Sequence, residues 1–145
     1  MSGLRHVWEL EIKTTPEQLW QAITDPEFTQ RYYHESRVYS DWNVGSPFLY
    51  VIDDRTVAIQ GVVLEADPPK RLVLTFSMRY RPELAADPPS RVTWEIEPVG
   101  DACKLTVVQD NFESETETYR TVGRGRQAIL ESMKSFLETG VPLEL

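Results

Sequence analysis

The residue with the most chemistry around it is His34, which Tyr32, Tyr33, Glu35 and Arg37 surround with groups that donate or accept protons. Histidine titrates near neutrality, so an oriented imidazole can act as a general base, and tyrosine hydroxyls can supply protons to a cyclase- or hydrolase-type reaction. Glu35 is its neighbour in sequence, but adjacent residues of an extended segment point opposite ways, which works against that pairing. The competing reading is a solvated loop histidine. Cys103 becomes a nucleophile only beside a base or a positive charge. Its alternation with Leu105 and Val107 makes it a small core residue instead. His6, His34 and Cys103 are the candidate metal ligands, yet they fall in a first strand, a loop and a late strand, with no C-x-x-C or H-x-x-x-H spacing. No metal and no cofactor is expected. Asp41, Asp53 and Asp110 each adjoin a turn, where aspartate caps backbone groups. The chain contains no glycine-rich phosphate loop, G-x-S-x-G elbow or H-E-x-x-H helix.

The elements that must position these groups follow from hydrophobic period and turn chemistry. His6, Trp8, Leu10 and Ile12 alternate with Val7, Glu9 and Glu11, the pattern of a half-buried strand. Thr15-Pro16-Glu17-Gln18 reads as a helix cap, a first-turn proline and a capping-box glutamine. Leu19, Trp20 and Ile23 then share a face, and Asp25-Pro26 ends that helix and caps a second short one through Phe28. From residue 36 to 109 the text is strands and turns. Val44-Gly45-Ser46-Pro47 turns before Phe48, Tyr50 and Ile52, and Asp53-Asp54-Arg55 turns again before Val57, Ile59, Gly61 and Val63. Asp67-Pro68-Pro69-Lys70 precedes Leu72, Leu74, Phe76 and Met78, the cleanest alternation in the chain. Residues 81 to 90, with three prolines, read as an irregular loop. Val92, Trp94 and Ile96 alternate, and Gly100-Asp101 turns into Cys103, Leu105 and Val107. Glu113, Glu115 and Glu117 read as a solvated acidic loop that can steer a cationic partner. Ile129, Met133, Phe136 and Leu137 then recur at helical spacing up to Gly140, with Pro142 just beyond.

The 145-residue chain is 41% hydrophobic and 26% charged, with four Trp, six Tyr and five Phe. A chain of this length buries roughly 70% of its unfolded surface, so residues 1–145 are expected to form one domain around one core. The formal charge of -8 repels a nucleic-acid backbone and an anionic membrane. No apolar run approaches the roughly 18 residues of a membrane span. Arg5, Glu9 and Glu11 break up the opening stretch, so no secretory leader is read there. A lone cysteine fits a reducing compartment, and the cytoplasm is the expected location.

The fold class these elements imply is α+β: a curved antiparallel sheet of six to seven strands gripping a long C-terminal helix, with two short helices after the first strand. Several short motifs carry a resemblance. They are Pro16 with Leu19-Trp20, Thr24-Asp25-Pro26-Glu27, Gly45, Gly61-Val62-Val63, Glu65 through Leu72, Thr75-Phe76, and Ala128-Ile129-Leu130 through Leu137-Glu138-Thr139-Gly140. In this order the chain resembles the START-related helix-grip superfamily (SRPBCC), and within it the family named for the activator of the ninety-kilodalton heat-shock chaperone's ATPase. Two stretches depart from that family's pattern. Gly123-Arg124-Gly125-Arg126 stands where tryptophan usually follows a glycine, and Tyr32-Tyr33 stands where tryptophan often follows the second helix. The resemblance implies an apolar cavity for a small hydrophobic or aromatic ligand, with cyclases and hydrolases among the superfamily. Chaperone activators carry a further N-terminal domain for which this chain has no length.

The leading expectation is a non-catalytic carrier or sensor of a small apolar or aromatic molecule. Phe48, Tyr50, Ile59, Leu74, Phe76, Met78 and Trp94 would hold it against Ile129, Met133 and Phe136, and Tyr32, Tyr33 and Trp42 would frame the entrance. The alternatives are an enzyme using His34 or a cavity carboxylate, and a chaperone-interacting module. A homodimer is compatible with each.

Overall fold

The two short helices begin where the sequence places their caps. In the computed structural model, which describes residues 3–144, Thr15 Oγ1 accepts the Gln18 N–H at 3.1 Å, and Asp25 Oδ1 accepts the Glu27 N–H at 2.9 Å. These caps open α1 (Pro16–Thr24) and α2 (Pro26–Tyr32), each with proline in its first turn, where the missing N–H costs nothing. Gln18 departs from the capping box: its side-chain oxygen accepts the Thr14 hydroxyl at 3.0 Å.

Strand β1 (His6–Ile12) precedes these helices, and β2 (Arg37–Ser40), β3 (Pro47–Ile52), β4 (Thr56–Asp67) and β5 (Arg71–Met78) follow. A single-turn helix α3 (Pro82–Ala85) leads to β6 (Ser90–Val99), β7 (Ala102–Asp110) and the long helix α4 (Glu117–Thr139). All seven strands pair antiparallel in the order β1-β7-β6-β5-β4-β3-β2. Short turns leave no length for a crossover, so β2 to β7 meander, and β1 docks on the free edge of β7. Register shifts at Tyr50/Val51 and at Val63/Glu65 add bulges that bend the β3–β5 half of the sheet.

The register aligns one face. Leu72, Trp94, Val107 and Trp8 form one rung across β5, β6, β7 and β1, and Leu74, Val92, Gln109 and His6 form the next. All but His6 are buried, and Gln109 is the polar residue that breaks an apolar surface. Helix α4 turns Val122, Arg126, Ile129, Leu130 and Met133 inward at helical spacing. It starts on Thr116, whose hydroxyl accepts the Tyr119 N–H at 3.1 Å, and ends on Gly140 at φ 85°, a left-handed position glycine adopts without strain.

Two expectations are corrected here. Residues 81–90 are not wholly irregular, because Pro82 presets the backbone for α3 and Leu84 is buried as a peg. The acidic run is not all loop, because Glu117 is the first residue of α4, where a carboxylate complements the helix dipole. It lies within 4 Å of Arg81, Arg120 and Arg124. No helix among the described residues is long and apolar enough to cross a membrane.

Candidate functional site

A cavity of about 290 Å³ opens between the middle of α4 and the bent β3–β5 half of the sheet. Ile52 from β3, Ala58 and Ile59 from β4 and Met78 from β5 form the sheet side, with Ile59 and Met78 directly paired. Thr121, Val122, Gly125, Arg126 and Ile129 of α4 form the helix side, and Tyr33, His34, Ser36 and Tyr80 complete the lining. His34 and Tyr80 are exposed and mark the mouth, whereas Tyr33 is buried. Gly125 helps make the space, since a Cβ built there meets no atom within 4 Å.

The other residues named from the sequence lie outside this lining. Phe48, Leu74, Phe76, Trp94 and Met133 are packed in the core, because α4 with α1 and α2 covers that part of the sheet's inner face. Tyr32 is buried and donates its hydroxyl to the Ala22 carbonyl at 2.7 Å. Tyr50 packs against Tyr33 with ring centroids 4.9 Å apart, and Trp42 stacks on Phe48 at 6.5 Å. Phe136 meets Phe28 edge-on at 5.8 Å, with the Arg31 guanidinium over its face. Burial holds the Tyr32 and Tyr50 hydroxyls above the ordinary phenol range, and the nearby Arg126 charge offsets only a small part of that rise.

The groups singled out for chemistry do not converge. His34 sits at φ 48° with Glu35 at φ 57°, a left-handed pair in the turn after α2, and its ring makes no hydrogen bond to any described residue. His6 is structural: its Nε2 lies 2.9 Å from the Tyr119 carbonyl, its ring stacks on Tyr119 at 4.2 Å, and Gly123 leaves room for it. The Cys103 thiol is buried and donates to the Thr14 carbonyl at 3.3 Å, and burial raises its pKa, which disfavours the thiolate. Asp110 holds Arg91 in a two-pronged pair, with both N–O distances 2.9 Å. No cluster of three or more metal-ligating side chains occurs among the described residues.

Arg126 also lines the cavity, although it is not among the ligand-contacting residues expected from the sequence. It is 3% exposed and has no carboxylate within 4 Å among the described residues. Nη1 donates to Tyr33 Oη at 3.2 Å and Nη2 to Gln109 Oε1 at 2.9 Å, while Nε is buried without an acceptor. The rings of Phe76, Trp8 and Trp94 surround Cζ at 5.2, 5.8 and 5.8 Å. Gln109 is in turn held by Ser90, whose Oγ accepts its Nε2–H at 3.0 Å. Removing a guanidinium from water costs several kcal/mol. Here only two neutral acceptors and three ring faces offset that cost. The signal was present in the sequence, since Arg126 is in phase with Val122, Ile129 and Met133 on the apolar face of a helix.

Comparison with known structures agrees with this architecture. Protein MLL2253 from Mesorhizobium loti is 25% identical and superposes with a TM-score of 0.77 over 92% of this chain and 96% of that one. The Aha1 dimer from Colwellia psychrerythraea, 17% identical, reaches 0.76 over 94% of this chain and 98% of that one. PFC0360w, an HSP90 activator from Plasmodium falciparum, 24% identical, reaches 0.67 over 86% and 89%. No curated protein matches the sequence significantly. Residues 13–138, from just before α1 into the last turn of α4, match the family described as Activator of Hsp90 ATPase homolog 1-like protein, and with a sheet gripping a C-terminal helix the chain belongs to that family.

Proposed function

We propose that the chain acts as one domain that binds a single small, largely apolar molecule in this cavity, as a carrier or sensor and not as a catalyst. The observation that carries the reading is the cavity itself: about 290 Å³ walled mainly by Ile52, Ala58, Ile59, Met78, Val122 and Ile129. An engineered apolar cavity of about 150 Å³ accommodates benzene. Twice that volume suits one ring with a short substituent, or a branched chain of similar bulk. Burying such a molecule at about 25 cal/mol per Å² of apolar surface provides the affinity. Against catalysis stands His34 itself, which is exposed and has no hydrogen-bond partner to orient it among the described residues.

Ligand-observed NMR and native mass spectrometry with a library of single-ring and short branched compounds test the reading. Wild type is expected to bind members of the library, and Gly125→Leu, which fills the cavity from the helix side, is expected to lose them while remaining folded. Binding that is unchanged in Gly125→Leu, or absent from wild type, rules the cavity out as the site.

A second reading rests on the family and on the description of the Plasmodium falciparum neighbour as an HSP90 activator. In it the free edge of β2 or the acidic loop before α4 docks on a heat-shock chaperone. Stimulation of a purified chaperone's ATPase by this protein supports docking, and no change at saturating concentration removes it.

A further inference from the structure

We infer that the ligand of this cavity carries one carboxylate, which pairs with Arg126 while its apolar body lies against Ile59, Met78 and Ile129. The inference rests on the cavity being the binding site, as proposed above, and specifies what it selects. Arg126 brings a full positive charge into an apolar surround without an acidic partner among the described residues. A guanidinium has five N–H donors, and two of them are used, on Tyr33 and Gln109. Nε has no acceptor, and each terminal nitrogen keeps one hydrogen that no described residue accepts.

Tyr33 adds a second donor. Its oxygen accepts from Arg126, so its own proton is free to point at the same ligand oxygen, and the ring is part of the cavity wall. A carboxylate matches a guanidinium edge plus a neighbouring hydroxyl in both planarity and charge. A neutral carbonyl would accept hydrogen bonds but leave the buried charge uncompensated. A phosphate, carrying about 1.5 to 2 negative charges near neutrality, would exceed the single positive charge opposite it. The volume suits about one ring beside the carboxylate, which gives a small aromatic or branched-chain monocarboxylic acid as the ligand class.

The structural alternative is that Arg126 only ties α4 to β7 and α2, through Gln109 and Tyr33. Gln109→Glu separates the two, because it is nearly isosteric and places a carboxylate where Oε1 now lies 2.9 Å from Nη2. If Arg126 awaits an external anion, this internal one replaces it.

The experiment is titration calorimetry with matched pairs, phenylacetate against phenylacetamide and 3-phenylpropionate against its amide, plus phenyl phosphate and neutral indole. Expected for wild type is acid binding at least about 30-fold tighter than the amide, on the scale of a charge-assisted two-pronged pair, with phenyl phosphate weaker than the acids. Gln109→Glu is expected to raise the melting temperature, abolish the preference for acid, and keep indole binding. Tyr33→Phe is expected to weaken the acid several-fold and the amide less. Arg126→Met is expected to equalise acid and amide, and Arg126→Lys provides a charge-retaining variant should the methionine protein not fold. Equal affinity for acid and amide in wild type, preference for the phosphate, or acid preference intact in Gln109→Glu would overturn the inference while leaving the apolar site standing if indole binds. Failure of every probe, indole included, would remove both.

Discussion

Arg126 Nη2 donates to Gln109 Oε1 across 2.9 Å, and that bond joins the middle of α4 to the inner face of β7 in a region built mainly from aliphatic and aromatic side chains. Deleting its two ends has unequal effects. Gln109→Leu leaves a buried charge with one fewer acceptor, and is expected to destabilise by about 3 kcal/mol. Arg126→Met leaves a neutral amide oxygen without its donor but removes the desolvated charge, so about 1–2 kcal/mol is expected. Urea midpoints at neutral pH check the order. If Arg126→Met proves the costlier change, the guanidinium is better compensated than its neighbours indicate.

Gly61 and Gly125 should respond to alanine in opposite directions. A Cβ at Gly61 falls 2.1 Å from the Thr75 carbonyl oxygen, a backbone atom of the neighbouring strand that cannot retreat without opening the β4–β5 pairing. Gly61→Ala is expected to cost more than about 3 kcal/mol or prevent folding. A Cβ at Gly125 enters open space within a helix, where alanine is favoured by about 1 kcal/mol. Thermal melts of the two variants give the comparison.

Asp87 staples the start of α4, since its Oδ2 accepts both the Thr118 N–H at 2.8 Å and the Thr118 hydroxyl at 2.7 Å. The contact ties the loop after α3 to the helix that bears Val122 and Arg126. Asp87→Ala is expected to cost about 1–2 kcal/mol. Hydrogen exchange should speed up first in residues 117–121, and protection unchanged there would show that Thr116 alone holds the helix end.

Glu138 ties the end of α4 to the chain just past β1, accepting the Lys13 N–H at 2.8 Å and the Lys134 ammonium at 2.9 Å. The Lys13 amide, then Lys134, hold its carboxyl below the usual range. A carboxyl whose folded pKa is depressed contributes stability that is present above its unfolded pKa, near about 4.3, and lost as pH falls through the folded value. The ion pair lies at the surface, where water screens it, so the contribution is expected to stay below about 1 kcal/mol. Glu138→Gln should match wild type in slope above about pH 5 and show a flatter acid limb below it in urea titrations.

Much of this fold is legible in one dimension because its determinants are local. Thr15, Asp25 and Gly140 act on backbone groups within four residues, and the alternation Leu72, Leu74, Phe76, Met78 shows its buried face without reference to any other strand. The short helix at Pro82 escaped because three prolines outweigh one turn of helix in any count of breakers. The extension of α4 back to Glu117 escaped because its first two turns place Tyr119, Arg120, Gly123 and Arg124 on half-exposed or exposed positions, where no apolar period appears.

The candidate site was harder. Tyr33, Ile59, Met78 and Ile129 were named from the sequence and line the cavity, while Phe48, Leu74, Phe76 and Trp94, of the same residue types and the same alternation, are packed solid. Period says that a side chain faces inward; it does not say whether another side chain meets it there.

The sequence by itself therefore determined the order of the strands and of α1, α2 and α4, the caps at Thr15, Asp25 and Gly140, the inward faces and the family, because each depends on neighbours along the chain or on a pattern that spans it. Only the tertiary structure decided that the His34 ring has no hydrogen-bond partner among the described residues and that the inner face is filled on one side and open on the other. It alone brought Tyr33, Gln109 and Arg126 together from three elements, with 93 residues separating the first and last. The physical reason is that burying a charge becomes tolerable only through partners distant in sequence. An arginine that the sequence shows only within a departure from the family's pattern thus stands buried in the wall of the cavity.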